Sequence, residues 1–84
     1  MIEGAVYGRY YQALPVRDDD RAPDGATAAV FADGGSLAGF IGPDSKPGTW
    51  RGWRADGWQC ARDVTETGAL WVVGCADLNG YCLS

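Results

Sequence analysis

The density of turn-forming residues is the feature that most constrains how this chain can fold. Thirteen glycines and four prolines are spread over 84 residues, and they interrupt every window long enough for a stable helix. No apolar stripe of helical period continues beyond two turns, whereas short runs rich in β-branched and aromatic residues lie between the turn signals. The sequence therefore predicts an all-β fold of short antiparallel strands.

The turn signals also place the predicted strands along the chain. A first strand is expected over residues 4–14, followed by a hairpin of 27–32 with 36–41 around Asp33-Gly34-Gly35. Later segments are a tryptophan-rich hairpin turning at Asp56-Gly57, a strand over 69–75, an Asn79-Gly80 turn and a last strand over 81–83.

These segments predict a single small β-domain over residues 1–84. We expect an antiparallel meander of five to seven short strands that forms a barrel or a sandwich. The expected arrangement is similar to SH3-like or OB-like architecture, a resemblance that rests on the strand pattern and on no family motif. Residues 17–25 and 42–48 are expected to be exposed loops, because they are rich in carboxylates, prolines and glycines.

Aromatic and cationic side chains are concentrated between Lys46 and Arg62. This segment contains three of the four tryptophans and carries a charge of +3, whereas the remaining chain carries −7 and the whole chain −4. Such a segment is typical of either a core hairpin or a recognition surface. The acidic balance of the whole chain argues against a general nucleic-acid binder and against binding to anionic membranes.

Alternation about Asp56-Gly57 divides the tryptophan-rich hairpin into two faces. A two-residue turn places Trp53 and Trp58 on one face, which is expected to be buried in the core. Trp50 and Arg54 fall on the other, more polar face, where Trp50 is a candidate exposed anchor for a partner. If Trp53 and Trp58 are instead exposed, the segment becomes a site for a carboxylate-rich protein, a sugar ring or a single-stranded base.

Two arginines complicate the core interpretation of this hairpin. The same register places Arg51 directly opposite Arg62 on the apolar face, where like charges destabilise a pair. They are expected either to lie at the rim of the core or to be covered by the acidic loop residues Asp18, Asp19 and Asp20.

Residues 69–75 are apolar at every position. A strand with one face in solvent alternates between apolar and polar residues, so this segment is expected either to run through the middle of a two-layer fold or to be covered by another chain. Trp71 and Val73 share one face of the predicted strand and are candidate interface residues. This segment is the strongest indication in the sequence that the protein works by association.

The chemistry that the sequence lacks bears on its function. There is no histidine and only one lysine, Lys46, which excludes histidine-based triads and every metal site that contains histidine. Three adjacent carboxylates at 18–20 lack the alternating pattern of a calcium loop and are expected to be a solvated loop. We therefore predict no enzyme activity, no cofactor and no metal. The three cysteines are an odd number, which predicts free thiols in a reducing compartment.

These observations favour a non-enzymatic protein–protein association module, either self-associating or bound to another protein. A phage-encoded accessory protein is the predicted setting, as a small virion component or an inhibitor of a host protein, with a cytoplasmic or virion location. The alternative is a module that binds carbohydrate or single-stranded nucleic acid by tryptophan and arginine stacking. The candidate binding residues are Trp50, Arg51, Arg54, Arg62, Trp71 and Val73.

Overall fold

The computed structural model describes residues 2–17 and 21–80. Six strands form one antiparallel sheet whose spatial order is the order of the chain. The elements are β1 (Glu3–Val6), β2 (Arg9–Pro15), β3 (Ala28–Ala32), β4 (Leu37–Pro43), β5 (Trp50–Arg54), β6 (Gln59–Val64) and a helix, α1 (Glu66–Asn79). The predicted all-β meander is confirmed, and it carries one short helix at its carboxyl end.

The sheet curls into a half-barrel around the helix. Strands β1 and β6 are its two edges and do not pair with each other. The helix fills the concave side and contacts all six strands, most closely β4 and β5. A helix in the opening thus takes the place of the further strands that would be needed to close a barrel.

Each face of the sheet carries its own apolar cluster. The concave cluster, between the sheet and α1, consists of Val6, Tyr11, Ala13, Ala28, Val30, Ala32, Ala38, Ile41, Ala69, Leu70, Val73 and Cys75. The outer cluster consists of Ala29, Phe40 and Trp53, and Val16, Ala22 and Ala26 from the connection between β2 and β3 pack against it. The sheet is therefore buried on both faces over β3–β5, and strands β3 and β4 are correspondingly apolar at nearly every position.

Two glycines allow the helix to approach the sheet closely. A Cβ atom at Gly52 would lie 2.9 Å from Val73 Cγ2, and one at Gly39 would lie 2.7 Å from Val73 Cγ1 and 2.1 Å from the carbonyl oxygen of Trp53. Val73 itself is fully buried. The absence of side chains at these two positions creates the groove in which α1 packs.

The predicted first strand over residues 4–14 is in fact a hairpin. Val6 pairs with Arg9, and the two residues between them, Tyr7 and Gly8, have φ angles of 50° and 81°. Positive φ at both central residues is the signature of the two-residue turn that best matches strand twist. Tyrosine is uncommon in this conformation, so the sequence pattern did not indicate a turn there.

The predicted strand over residues 69–75 is wrong, since these residues lie within α1. Thr65 caps the helix, because its hydroxyl oxygen accepts a hydrogen bond from the backbone N–H of Gly68 at 3.0 Å. Gly80 ends it with a left-handed φ of 78°, and its N–H donates to the carbonyl of Ala76 at 2.8 Å. Asn79-Gly80 is thus a helix end rather than a hairpin turn, and the predicted strand over 81–83 lies outside the described residues.

The tryptophan-rich hairpin forms, but its predicted register is wrong. The connection is a three-residue loop, 55–57, in which the backbone N–H of Arg54 donates to the carbonyl of Trp58 at 2.8 Å. Gly57 occupies the left-handed position of this loop, with a φ of 90°. Two further register shifts interrupt the pairing of β5 with β6. Because each shift changes which side chains share a face, the predicted division into core and polar faces does not hold.

Candidate interaction surfaces

The side of α1 that carries Trp71 has no charged residue; the two charged residues of the helix, Glu66 and Asp77, are half-buried and lie on its other sides. We call this surface the helix arc and define it as Thr67, Gly68, Trp71, Val72, Leu78 and Asn79, all of which are exposed or half-buried. Trp71 is 42% exposed and Leu78 is 37% exposed, and they lie two turns apart on the same side of the helix. Surface helices of globular proteins usually present charged residues to water, so an uncharged arc with a tryptophan at its centre is a candidate binding surface.

The β1–β2 turn extends the helix arc. Tyr7, at that turn, is 74% exposed, and its ring lies 5.6 Å from the ring of Trp71, centroid to centroid, at an interplanar angle of 54°. A tilted contact at this separation is favourable between aromatic rings. The two rings therefore form one continuous aromatic surface between the sheet edge and the helix.

Val73 is not part of any exposed surface. It was predicted to share a face with Trp71, as alternate residues of a strand do, but in a helix two residues apart point in nearly opposite directions. Val73 consequently lies in the concave cluster, fully buried, while Trp71 faces solvent. Of the two interface candidates in this segment, only Trp71 is available to a partner.

The tryptophans of the β5–β6 hairpin are divided differently from the prediction. Trp53 is buried, 4% exposed, as expected, but it belongs to the outer cluster. Trp58 was predicted to be core and is 67% exposed, whereas Trp50 was predicted to be exposed and is half-buried against the concave cluster. The three indoles do not form a shared stacking platform.

Arg51 has a counter-ion that the sequence did not reveal. Its Nε lies 3.9 Å from Oδ1 of Asp44, and its guanidinium carbon lies 5.0 Å from the centroid of the Trp53 ring, in cation–π geometry. The Asp44 carboxylate also accepts hydrogen bonds from the backbone N–H groups of Ser45 at 2.8 Å and Asp63 at 3.0 Å. These backbone hydrogen bonds lower the pKa of Asp44, and the bond from Ser45 contributes most.

Arg51 therefore has a structural role as a link between the β4–β5 loop and the outer cluster. Its Nε–H is buried and donates no hydrogen bond, since the contact with Asp44 is longer than a hydrogen bond. Arg51 and Arg62 do not form the predicted pair, because a register shift lies between the pairs Trp50–Val64 and Gly52–Ala61. Arg62 is exposed.

Arg54 forms an ion pair within its own turn. Its guanidinium contacts the carboxylate of Asp56, and Asp56 also accepts a hydrogen bond from the backbone N–H of Trp58 at 3.1 Å. That backbone bond, together with Arg54, lowers the pKa of Asp56. Arg54 thus stabilises the tip of the hairpin, and its exposed neighbour Trp58 is the prominent side chain there.

The remaining predicted features concern carboxylates and cysteines. Asp18, Asp19 and Asp20 lie outside the described residues. Within residues 2–17 and 21–80, no three histidine, cysteine, aspartate or glutamate side chains lie close enough to hold a metal ion. Cys75 is a buried free thiol whose pKa is raised by burial, but Cys60 is disulfide-bonded. The prediction of free thiols is therefore wrong for Cys60, and the cysteines no longer argue for a reducing compartment.

Sequence reasoning missed Tyr7 and Leu78 as surface residues. A helical pattern over 66–79 would have placed Leu78 beside Trp71, since residues seven apart share a face. The capping signals that mark this helix, Thr65 before Glu66 and Gly80 after Asn79, are present in the sequence.

Among the described residues, no helix has the length and apolar content that crossing a membrane requires. Comparisons of the chain with protein-family models, with curated proteins and with solved structures find no match.

Proposed function

We propose that this protein is a non-enzymatic protein–protein association module that docks through the helix arc and Tyr7. The observation that carries the proposal is the composition of this surface. It combines two exposed aromatic rings with Val72 and Leu78, and no charged side chain belongs to the helix arc. Depletion of charge and enrichment in aromatic residues distinguish the centres of protein interfaces from other surface.

The size of the surface indicates which kind of association it supports. Tyr7 and Trp71 are 74% and 42% exposed, and an aromatic side chain buries about 150–250 Å², so the two rings offer roughly 170–290 Å² to a partner. A standard interface buries about 800 Å² on each partner. The aromatic pair therefore supplies an anchor at the centre of an interface, which suits reversible association better than a permanent complex.

The rival hypothesis, a module that stacks sugars or single-stranded bases, has less support from the geometry. It requires Trp50, Trp53 and Trp58 to present their faces together, but Trp53 is buried and Trp50 packs against the concave cluster. Trp58 alone offers an exposed indole in this hairpin, and one ring is a weak platform. The phage setting and the cytoplasmic or virion location stay predictions from the sequence.

Two exposed tryptophans provide a matched test of the proposal. Trp71→Ala removes the centre of the helix arc, whereas Trp58→Ala removes an indole that is more exposed but lies outside it. We expect wild type to associate, either with itself in sedimentation velocity or with a protein retained from an extract of the producing cells. Trp71→Ala should weaken that association at least tenfold, as hot-spot aromatics do, while Trp58→Ala should leave it unchanged.

Two results would argue against this function. A wild-type chain that sediments as a monomer at high concentration and retains no protein would remove the association role. Binding of an oligosaccharide or an oligonucleotide that depends on Trp58 and not on Trp71 would favour the rival module.

A further inference from the structure

A groove runs along the outer face of the sheet, on the side opposite the helix. It lies over β2, β3 and the β3–β4 turn. Tyr10, Gln12, Leu14, Phe31 and Asp33 line a cavity of about 350 Å³ at the β3–β4 turn. Leu14 and Phe31 also line an adjoining cavity of about 400 Å³, whose far side is formed by Pro15, Val16 and Arg17. Volumes of this order accommodate small organic ligands.

The strand register places the aromatic rings of this groove side by side. Gln12 pairs with Phe31, and Tyr10, two residues before Gln12, projects from the same face of β2. Tyr10 and Phe31 are therefore diagonal neighbours across two adjacent strands, within reach of one another's side chains. Tyr10 is 38% exposed and Phe31 is half-buried, so both rings are accessible from the groove.

Two carboxylates lie beside these rings. The backbone N–H of Asp33 donates to the carbonyl of Tyr10 at 2.8 Å, which places the Asp33 side chain at the same end of the groove as the tyrosine ring. The hydroxyl of Tyr10 donates to the carboxylate of Glu3 on the neighbouring strand. Neither Glu3 nor Asp33 forms an ion pair with a basic group of the described residues. None of the described residues that line the cavity of 350 Å³ is basic.

We propose that this end of the groove is a binding site for an alkylated ammonium group. Two aromatic rings and the Asp33 carboxylate line this cavity, and the Glu3 carboxylate is held at the Tyr10 hydroxyl. This is the chemistry that holds such a cation, since the rings attract it through their quadrupoles and the carboxylates through their charge. Leu14 and the adjoining cavity receive the apolar remainder of the ligand. The same chemistry is offered by a small quaternary amine and by a methylated lysine side chain of a peptide. This site is independent of the helix arc.

Choline and its neutral isostere 3,3-dimethyl-1-butanol test the proposal directly. Each is titrated into the isotopically labelled protein at constant ionic strength, with choline chloride replacing sodium chloride, and binding is followed by backbone amide shifts in NMR. We expect saturable shifts confined to β2, β3 and the β3–β4 turn with choline, and at least tenfold weaker binding of the alcohol. Equal binding of the two compounds, or shifts spread over the whole protein, would overturn the proposal.

Substitutions and a peptide arm complete the test. Tyr10→Leu should weaken choline binding about two- to fivefold, the effect of one exposed cation–π contact, and Asp33→Asn should also weaken it. Asp24→Asn makes the same charge change at an exposed residue that lines neither cavity and should have no effect. A trimethyl-lysine peptide is compared with choline and with the same peptide carrying unmodified lysine. If the methylated peptide binds more tightly than both, the ligand is a methylated lysine side chain. If the two peptides bind equally and more weakly than choline, the ligand is a small quaternary amine. A choline affinity that neither Tyr10→Leu nor Asp33→Asn changes would overturn the proposal.

Discussion

Replacement of Trp53 by alanine tests the assignment of the hairpin faces. Trp53 is 4% exposed, packs with Ala29 and Phe40, and lies beneath the guanidinium of Arg51. Burial of a tryptophan removes about 150–250 Å² from water, which corresponds to about 4–6 kcal/mol as an upper bound. Measured losses for large aromatic residues replaced by alanine are about 3–5 kcal/mol. An 84-residue chain has a total stability of about 4–13 kcal/mol, so Trp53→Ala should remove a large share of it.

Urea unfolding followed by far-ultraviolet circular dichroism measures this loss without relying on tryptophan emission. The experiment is done without reductant, because Cys60 is disulfide-bonded. With a loss of about 3–5 kcal/mol and a slope of about 1 kcal/mol per molar urea, Trp53→Ala should lower the midpoint by about 3–5 M or leave the chain unfolded in buffer. Trp53→Phe, which retains a ring on Phe40, should lower it less.

Trp58→Ala is the matched control for this prediction. Trp58 belongs to the same hairpin but is 67% exposed, and surface substitutions usually change stability by no more than about 0.5 kcal/mol. A midpoint shift for Trp58→Ala as large as that for Trp53→Ala would refute the face assignment. So would a negligible shift for both Trp53 variants.

Three further predictions concern packing and pH. Gly39→Ala should destabilise the protein by about 1–3 kcal/mol in urea unfolding, because its Cβ would lie 2.1 Å from a carbonyl oxygen of β5. Gly4→Ala is the control and should have little effect, since its Cβ would lie 3.6 Å from the nearest atom. Burial and the hydrogen bond to Asp77 raise the pKa of Tyr11 to about 12. Because the unfolded chain loses this proton at a lower pH than the folded chain, the stability should fall between about pH 10 and pH 12. Tyr11→Phe should reduce this fall in alkaline unfolding curves. Backbone hydrogen bonds lower the pKa of Asp44. The ionised carboxylate therefore stabilises the folded chain above the ordinary carboxyl pKa, and this contribution is lost as the pH falls through the lowered value. Asp44→Asn should flatten the acid limb of the curve of stability against pH.

The parts of the fold that were predicted correctly are those with strong local turn chemistry. Asp33-Gly34-Gly35 indicated the β3–β4 hairpin because the two glycines supply positive φ angles, of 96° and 91°, that other residues seldom adopt. The turn at Tyr7 was missed because tyrosine rarely adopts a φ of 50°. Local turn chemistry therefore predicted the meander but missed the turn that divides its first predicted strand into β1 and β2.

The helix was missed for a different physical reason. A short run that is apolar at every position is compatible with a buried strand and with a buried helix, and periodicity does not distinguish them. The β-branched pair Val72-Val73 favoured a strand locally and Gly74 disfavoured a helix, but packing against the concave side of the sheet overrides those preferences. Thr65 and Gly80 cap the two ends of the helix, and these caps are the local signals that distinguish a helix from a strand in this segment.

The sequence predicted only part of the candidate interaction surface. Trp71 was identified as an interface residue because its segment is uniformly apolar, and the structure places it in solvent. Tyr7 could not be associated with it, since the two residues are distant in the chain and meet only because β1 and β2 border the helix. Asp44 was likewise not identified as the partner of Arg51, because its position depends on the path of the β4–β5 loop.

Oxidative footprinting of the exposed aromatic side chains measures association through the helix arc. In dilute buffer, Trp71 and Trp58 should both react and Trp53 should not, in line with their exposures of 42%, 67% and 4%. In an extract of the producing cells, or at high protein concentration if the chain associates with itself, we expect Trp71 and Tyr7 to become protected while Trp58 reacts as before. Protection of Trp58 with Trp71 unchanged, or no protection of either residue, would contradict it.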